Sequence, residues 1–95
     1  MTLTVVTGAS SGIGRALARR LAASGDIVVA LARREPLLTS LVDEIEAAGG
    51  RARARVCDVT DRDQVLATFA EIEAAIGPVE RLIANAGGGS RTQVA

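Results

Sequence analysis

Four strand-like segments alternate with three segments of helical apolar spacing, and this alternation constrains the fold more than any other feature of the chain. Short β-branched or period-two segments are typical of strands, and here they are Leu3–Thr7, Ile27–Ala32, Arg51–Cys57 and Val79–Ala84. The helical segments end at glycines, which are Gly25, Gly49–Gly50 and Gly77. Strands that alternate with helices through short connections predict an α/β fold, a parallel sheet with helices on both faces. Right-handed crossovers, with a reversal after the third strand, give the strand order 3-2-1-4.

Further sequence features predict how the third helix begins, where the third strand lies in the sheet and what the last residues form. Thr60 is expected to cap the third helix, with Asp63 three residues later in a capping-box-like arrangement. The third strand is expected at a sheet edge, where charged side chains discourage edge-to-edge pairing. Its alternating arginines are Arg51, Arg53 and Arg55. Residues 90–95 carry no pattern and are expected to be coil.

The composition removes several kinds of chemistry. The 95-residue chain has no net charge, and all eleven of its basic residues are Arg, so it lacks the signature of a nucleic-acid partner. Without His or Lys, and with Cys57 as the one cysteine, it holds no zinc-ligand set, Ser-His-Asp triad, Walker A lysine or internal disulfide. The first apolar run is too short for a signal peptide or a membrane span. We therefore expect one cytoplasmic domain with no membrane partner and with Cys57 buried.

A glycine-rich loop separates the first strand from the first helix. Gly8 permits the tight turn off the strand, Gly12 lets the backbone approach a pyrophosphate, and Gly14 allows the helix to lie against the sheet. The start of the helix then offers unpaired N–H groups and the positive end of its dipole to phosphates. Glycine spacing alone is a weak signal, and the alternative is a sharp strand-to-helix turn without a ligand.

Three motifs follow three of the predicted strands. They are Thr7-Gly8-Ala9-Ser10-Ser11-Gly12-Ile13-Gly14, Asp58-Val59 and Ala84-Asn85-Ala86-Gly87. In this order and spacing they resemble the motifs of the short-chain dehydrogenase/reductase family, with Ala84 in place of the first Asn of the family's Asn-Asn-Ala-Gly. The resemblance covers residues 2 to about 89. It implies a Rossmann-like, doubly wound sheet that binds a nicotinamide dinucleotide and transfers hydride between it and a carbonyl or alcohol.

The resemblance also implies roles for individual residues. Ile13 would give a backbone N–H to the pyrophosphate, Asp58 would accept from the adenine amino group, and Asn85 would brace the fourth strand and line the adenosine side. The implied cofactor contacts in the three motifs are Gly8, Ser10, Ser11, Gly12, Ile13, Gly14, Asp58, Val59, Asn85, Ala86 and Gly87. The residues alone leave two alternatives open. Asp58 could simply be a carboxylate near a helix N-terminus, and residues 85–87 could form an ordinary turn without a ligand.

The residues after the second strand favour NADP over NAD. An NAD site usually carries an acid about twenty residues past the glycines, where it binds the ribose hydroxyls. Here Ala32 holds that position, Arg33 and Arg34 follow, and no acid comes before Glu35. An acid would repel a 2′-phosphate, whereas an arginine binds it with a planar fork of donors. We therefore expect Arg33, with Arg34 and a hydroxyl contact from Ser10, to bind this phosphate. The alternative is that both arginines are solvated loop residues.

The family's proton-transfer residues are missing from the chain. The resemblance implies a Tyr, a Lys four residues later and a Ser, all after a fifth strand, and this chain has no Tyr and no Lys. We therefore assign no catalytic residue. We expect residues 1–95 to be the N-terminal part of a single Rossmann domain, truncated after the fourth strand and inactive alone. For the full-length protein the family implies a small-molecule substrate and a homo-oligomer. The alternative function is a non-catalytic dinucleotide-binding module or a truncated remnant.

Overall fold

Strands and helices alternate along the computed structural model, which describes residues 2–9, 12–33, 35–86 and 90–94. The elements are β1 Leu3–Thr7, α1 Gly12–Ala23, β2 Ile27–Ala32, α2 Glu35–Ala47, β3 Arg51–Val56, α3 Arg62–Ala75, β4 Arg81–Ala86 and β5 Ser90–Val94. The described strands form a sheet in the order β3-β2-β1-β4-β5. The first four strands in this order are parallel, and β5 runs antiparallel to β4. The parallel part confirms the predicted order 3-2-1-4 of a doubly wound, Rossmann-like sheet.

The register of the parallel strands brings their carboxyl ends to one edge of the sheet. β1 pairs with β2 from Leu3↔Ile27 to Thr7↔Leu31. β2 in turn pairs with β3, ending at Ala32↔Val56. Because neighbouring parallel strands end side by side, the loops that follow them meet at this carboxyl edge. The predicted glycine loop, Arg33 and Asp58 all belong to these loops.

Two apolar layers hold the helices to the sheet. Strand residues alternate between the two faces, so β2 contributes to both layers and is buried on both sides. The layer under α1 and α2 consists of Val6, Ala9, Ala18, Ala22, Val28, Ala30, Ala32, Leu38, Leu41, Ile45, Ala52 and Ile83. The layer under α3 is smaller and consists of Leu3, Val5, Val29, Leu31, Cys57 and Ile72. The predicted burial of Cys57 is therefore confirmed.

The layer under α3 depends on few residues of the helix itself. α3 is described over its whole length, and the residue that it buries is Ile72. α2 buries three residues, Leu38, Leu41 and Ile45. α3 is consequently the less firmly packed of these two helices.

The start of α3 differs from the prediction, because Asp61 and not Thr60 is its N-cap. The carboxylate of Asp61 accepts a hydrogen bond from the backbone N–H of Gln64 at 3.2 Å. The hydroxyl of Thr60 instead donates to the Asp58 carboxylate at 2.7 Å. A turn from Asp58 to Asp61, closed by an Asp61 N–H···O=C Asp58 bond of 3.0 Å, therefore moves the helix start by one residue.

Two further differences concern the end of the chain. β4 spans Arg81–Ala86, two residues later than predicted. The expectation of coil for residues 90–95 is wrong for Ser90–Val94, which form β5 and pair with β4 from Ala86↔Ser90 to Leu82↔Val94. The segment is mostly polar, so its hydropathy gives no strand signal. Its partner is the edge of β4, whose backbone N–H and C=O groups require hydrogen bonds whatever the side chains.

β3 lies at a sheet edge, as predicted, and its arginines pair with acids on the helices. The guanidinium of Arg55 donates to the Glu71 carboxylate at 2.6 Å, and Arg53 lies 3.9 Å from Glu46. These pairs are consistent with a charged edge that discourages further strand pairing. Within the described ranges, no helix has both the length and the apolar character needed to cross a membrane.

Candidate functional site

The glycine loop leaves β1 through a turn and enters α1 at the carboxyl edge of the sheet. Gly8 has a φ of 62° and Gly12 a φ of 54°, a left-handed conformation that side chains other than glycine rarely adopt. The N–H of Ala9 donates to the carbonyl of Leu31 at 3.1 Å, which fixes the turn against β2. The two glycines are therefore required by the backbone itself.

The surroundings of Gly12 are open in the part of the chain that the structure describes. Apart from its chain neighbours and the backbone of its own helix, a Cβ built on Gly12 has no described atom within 4 Å. Gly14, two residues later, is buried where α1 meets the sheet, and the intervening Ile13 is 50% exposed. N–H groups in the first turn of a helix have no partner within the helix, and they carry the positive end of its dipole. The start of α1 is therefore chemically suited to an anionic group such as a pyrophosphate.

Asp58 follows β3 and is held in a defined orientation. Its Oδ1 accepts two hydrogen bonds from Thr60, one from the hydroxyl at 2.7 Å and one from the backbone N–H at 3.0 Å. The backbone N–H of Asp58 donates to Gln64 Oε1 at 2.5 Å, which ties the residue to the first turn of α3. These contacts fix the carboxylate at the carboxyl edge of the sheet.

The electrostatics at Asp58 favour its ionised form. The hydroxyl of Thr60, then its backbone N–H, and then the positive charge of Arg33 lower the pKa of Asp58 below its ordinary value. Arg33 follows β2 and Asp58 follows β3, so the two charges lie at the ends of neighbouring strands. At neutral pH the site therefore presents an anionic acceptor after β3 and an exposed cation after β2.

Exposed apolar side chains surround the same edge. In the part of the chain that the structure describes, the large apolar residues with high exposure are Ile13, Leu37, Val56, Val59 and Leu66. They lie at the starts of the helices, at the end of β3 or in the loop that follows it. Apolar surface beside a few fixed polar groups is typical of a small-molecule binding site.

Comparison with known proteins decides the family. The model of the short chain dehydrogenase family matches residues 2–95. The chain belongs to the short-chain dehydrogenase family.

Relatives of this chain include enzymes whose names give different substrates. It is 46% identical over 90 residues to a 3beta-hydroxysteroid dehydrogenase of Mediterraneibacter gnavus, with 93% of this chain and 33% of the relative covered. It is 47% identical over 83 residues to a gluconate 5-dehydrogenase of Gluconobacter oxydans, with 87% of this chain and 32% of the relative covered. The chain thus spans about a third of the length of these relatives.

Solved structures agree with the fold. An actinorhodin polyketide ketoreductase variant with NADPH superposes with a TM-score of 0.85 at 41% identity, over 90% of this chain and 33% of the other. A metagenomic short-chain oxidoreductase in complex with NADP superposes with a TM-score of 0.82 at 42% identity, over 85% of this chain and 37% of the other.

The structure brings most of the described candidate residues to the carboxyl edge of the sheet. They are Gly8, Gly12, Ile13, Gly14, Arg33, Asp58 and Val59. Four other candidates lie outside the described residues, namely Ser10, Ser11, Arg34 and Gly87. Asn85 and Ala86 are described only through their backbones, which belong to β4 and pair with Arg91 and Ser90 of β5.

Sequence analysis missed three residues that support the site. Thr60 and Gln64 hold Asp58, and Arg15 connects α1 to α2. The Asp58-x-Thr60 spacing is typical of a turn closed by an aspartate side chain, so Thr60 had a local signal. Arg15 had none, because its partners lie 22 to 29 residues along the chain.

Proposed function

We propose that this chain is the cofactor-binding part of a short-chain dehydrogenase that prefers NADP to NAD. The observation that carries the preference is the end of β2, where Ala32 is buried and the next residue, Arg33, is exposed. No carboxylate stands at Ala32 to bind a ribose 2′-hydroxyl or to repel a 2′-phosphate. Two similar structures carry NADPH or NADP in their names, which supports a nicotinamide dinucleotide as the cofactor.

The proposed position of the pyrophosphate is the cradle at the start of α1. Gly8 and Gly12 shape the turn, and the open space at Gly12 allows phosphate oxygens to come close to the backbone. The N–H of Ile13 then donates to the pyrophosphate, and the dipole of α1 favours its negative charge. Ser10 and Ser11 complete this proposed cradle.

The adenosine is proposed to lie along the ends of β3 and β4. The Asp58 carboxylate accepts from the adenine amino group, and the exposed side chain of Val59 lies against the ring. Asn85, Ala86 and Gly87 line the other side in this proposal. The 2′-phosphate binds to Arg33, with Arg34 and the hydroxyl of Ser10 as further donors.

The complete enzyme is proposed to be an oxidoreductase that transfers hydride between the nicotinamide and a carbonyl or alcohol. The chain contains neither Tyr nor Lys. We therefore propose that residues 1–95, as the N-terminal part of one dinucleotide-binding domain, bind the cofactor without turnover. The small-molecule substrate, the homo-oligomer and the cytoplasmic location stay predictions for the complete protein.

The absence of Tyr and Lys from the sequence also favours a second candidate function, a dinucleotide-binding module without catalysis. Both functions predict that the isolated chain shows no turnover. Carbonyl reduction by the isolated chain with NADPH would contradict both the proposed inactivity and this second candidate.

The proposed preference is tested by an Arg33→Ala variant and two titrations, with NADPH and with NADH, followed by calorimetry. Loss of a charge-assisted contact with the 2′-phosphate is expected to weaken NADPH binding by about 1.5–3 kcal/mol, or roughly tenfold to a hundredfold, and to leave NADH binding unchanged. The matched control is Arg20→Ala, because Arg20 is exposed in the last turn of α1, at the far end of the helix from the site. An equal loss for both nucleotides would refute the phosphate role of Arg33.

A further inference from the structure

Arg15 lies in the first turn of α1 and extends its side chain across to α2. Its Nη1 donates to the carbonyl of Leu37 at 3.2 Å. Its Nη2 donates to the hydroxyl of Ser40, also at 3.2 Å, and to the carboxylate of Glu44. The side chain is 20% exposed, so most of it is covered. One arginine therefore joins the start of the glycine-loop helix to the first turns of the neighbouring helix.

The contacted part of α2 follows the proposed phosphate ligand, Arg33, closely along the chain. α2 begins at Glu35, two residues after Arg33, and Leu37 belongs to its first turn. The side chain of Arg33 is exposed, so the position of its guanidinium depends on the backbone bend that joins β2 to α2. A binding group is effective when the structure that carries it is held to within a fraction of an ångström. The contact between Arg15 and Leu37 restrains that structure.

Arg15 is not suited to bind the phosphate itself. Its Nη1 and Nη2 donate to three acceptors on α2, and Glu44 balances its charge. Hydrogen bonding by Arg15, and then by Arg19, lowers the pKa of the Glu44 carboxyl, which keeps this partner ionised. The geometry of Arg15 thus differs from that of Arg33, whose exposed side chain follows β2 directly.

We propose that Arg15 is a positioning residue for recognition of the 2′-phosphate. It sets the first turn of α2 against α1, and so fixes the backbone that presents Arg33 to the cofactor. This inference rests on the proposed preference for NADP. It predicts that removal of Arg15 reduces the discrimination between NADPH and NADH without preventing folding, because α2 remains anchored by its three buried residues.

The test compares Arg15→Met with Arg19→Met. Arg19 is a matched control because its Nη1 also bonds Glu44, at 3.0 Å, while its side chain is 54% exposed and, among the described residues, does not bond Leu37 or Ser40. For Arg15→Met the ratio of the NADH to the NADPH dissociation constant is expected to fall about threefold to tenfold, with NADH binding unchanged. For Arg19→Met the ratio is expected to stay at the wild-type value. Thermal unfolding of both variants shows whether each is folded at the temperature of the titration.

A second variant keeps the inference testable if Arg15→Met does not fold. Ser40→Ala removes one acceptor of Arg15 at an exposed position. It is expected to lower the same ratio in the same direction by a smaller factor. An unchanged ratio in this variant, together with an Arg15→Met protein that does not fold, would assign Arg15 to stability alone and overturn the proposal.

The wild-type protein and Arg33→Ala separate this inference from the proposed function. If the wild-type protein shows no preference for NADPH, or keeps its preference in Arg33→Ala, the proposed function and this inference both fail. If Arg33→Ala abolishes the preference but Arg15→Met retains it, the inference about Arg15 fails by itself. Equal weakening of both nucleotides in Arg15→Met also overturns it, since that result indicates a general structural role.

Discussion

Replacement of Gly12 by alanine tests how much this glycine contributes to folding stability and how much to the proposed cofactor binding. The φ of 54° is unfavourable for alanine by about 1–2 kcal/mol. Beyond its chain neighbours and its own helix backbone, the new Cβ meets no described atom within 4 Å, so we expect no steric clash to add to this cost. In a domain of this size, a loss of about 1 kcal/mol lowers the Tm by roughly 4–8 °C. We therefore expect Gly12→Ala to fold with a modestly reduced Tm.

The effect of the same change on the cofactor is expected to be larger than its effect on folding. The Cβ would stand in the open space where the pyrophosphate is proposed to lie. Displacement of the phosphates from the start of α1 weakens charge-assisted hydrogen bonds that contribute about 1.5–3 kcal/mol each. We expect at least a tenfold increase in the dissociation constants of NADPH and NADH alike, because the two nucleotides share the pyrophosphate.

Gly49→Ala is the matched control for this experiment. Gly49 has a φ of 91° and also has nothing within 4 Å of a built Cβ, but it follows the end of α2 and is remote from the glycine loop. Thermal unfolding should show a loss of stability in both variants, and calorimetric titration well below the Tm should show weakened binding only in Gly12→Ala. Wild-type affinity in folded Gly12→Ala, or equally weak binding in Gly49→Ala, would refute the reasoning.

The remaining predictions concern Asp58, the ion-paired carboxylates and the core. Thr60→Val removes a hydroxyl that holds the Asp58 carboxylate in its orientation, so calorimetry should show both nucleotides bound severalfold more weakly, while Thr60→Ser should bind as the wild-type protein does. The pKa values of Asp58, Glu44 and Glu71 are lowered in the folded protein, so their contribution to stability is complete above about pH 4–4.5 and is lost as the pH falls through the lowered values. Urea unfolding at a series of pH values measures this, and a stability that rises on acidification from pH 4 would contradict it. Leu41→Ala should lower the free energy of unfolding by about 2–5 kcal/mol, because Leu41 is fully buried, and a loss below about 1 kcal/mol would contradict that burial.

The order of the parallel strands was predictable because its signals are local. The continuous apolar run of β2 indicates a strand covered on both faces, and the structure buries it from Val28 to Ala32. The glycines after β1 predict a turn, and the structure has positive φ at two of them, Gly8 and Gly12. Each signal depends on a few neighbouring residues and on the handedness of crossovers, which is nearly invariant.

The features that were not predicted depend on competition between neighbouring residues for one hydrogen bond, or on partners that lie far away along the chain. Thr60 has the chemistry of a helix cap, but its hydroxyl bonds Asp58 and Asp61 takes the cap. Residues 90–94 pair through their backbone with β4, which no periodicity of their own side chains reveals. The bridge from Arg15 to Glu44 spans 29 residues of sequence. Secondary-structure propensity depends only on the residues of each segment, whereas the structure that the segment adopts also depends on the partners that the fold places beside it.

The thin layer under α3 has a dynamic consequence for the two halves of the proposed site. α3 fully buries Ile72 and only partly buries Val65 and Phe69 against this layer, so we expect it to open by local fluctuation at a lower free energy than the sheet. The turn that carries Asp58 leads directly into this helix, whereas the glycine loop is attached to the buried strand β1. Amide exchange should therefore be fast in α3 and slow in β1 and β2. If the adenosine binds beside Asp58 as proposed, dinucleotide binding should slow exchange most at the start of α3.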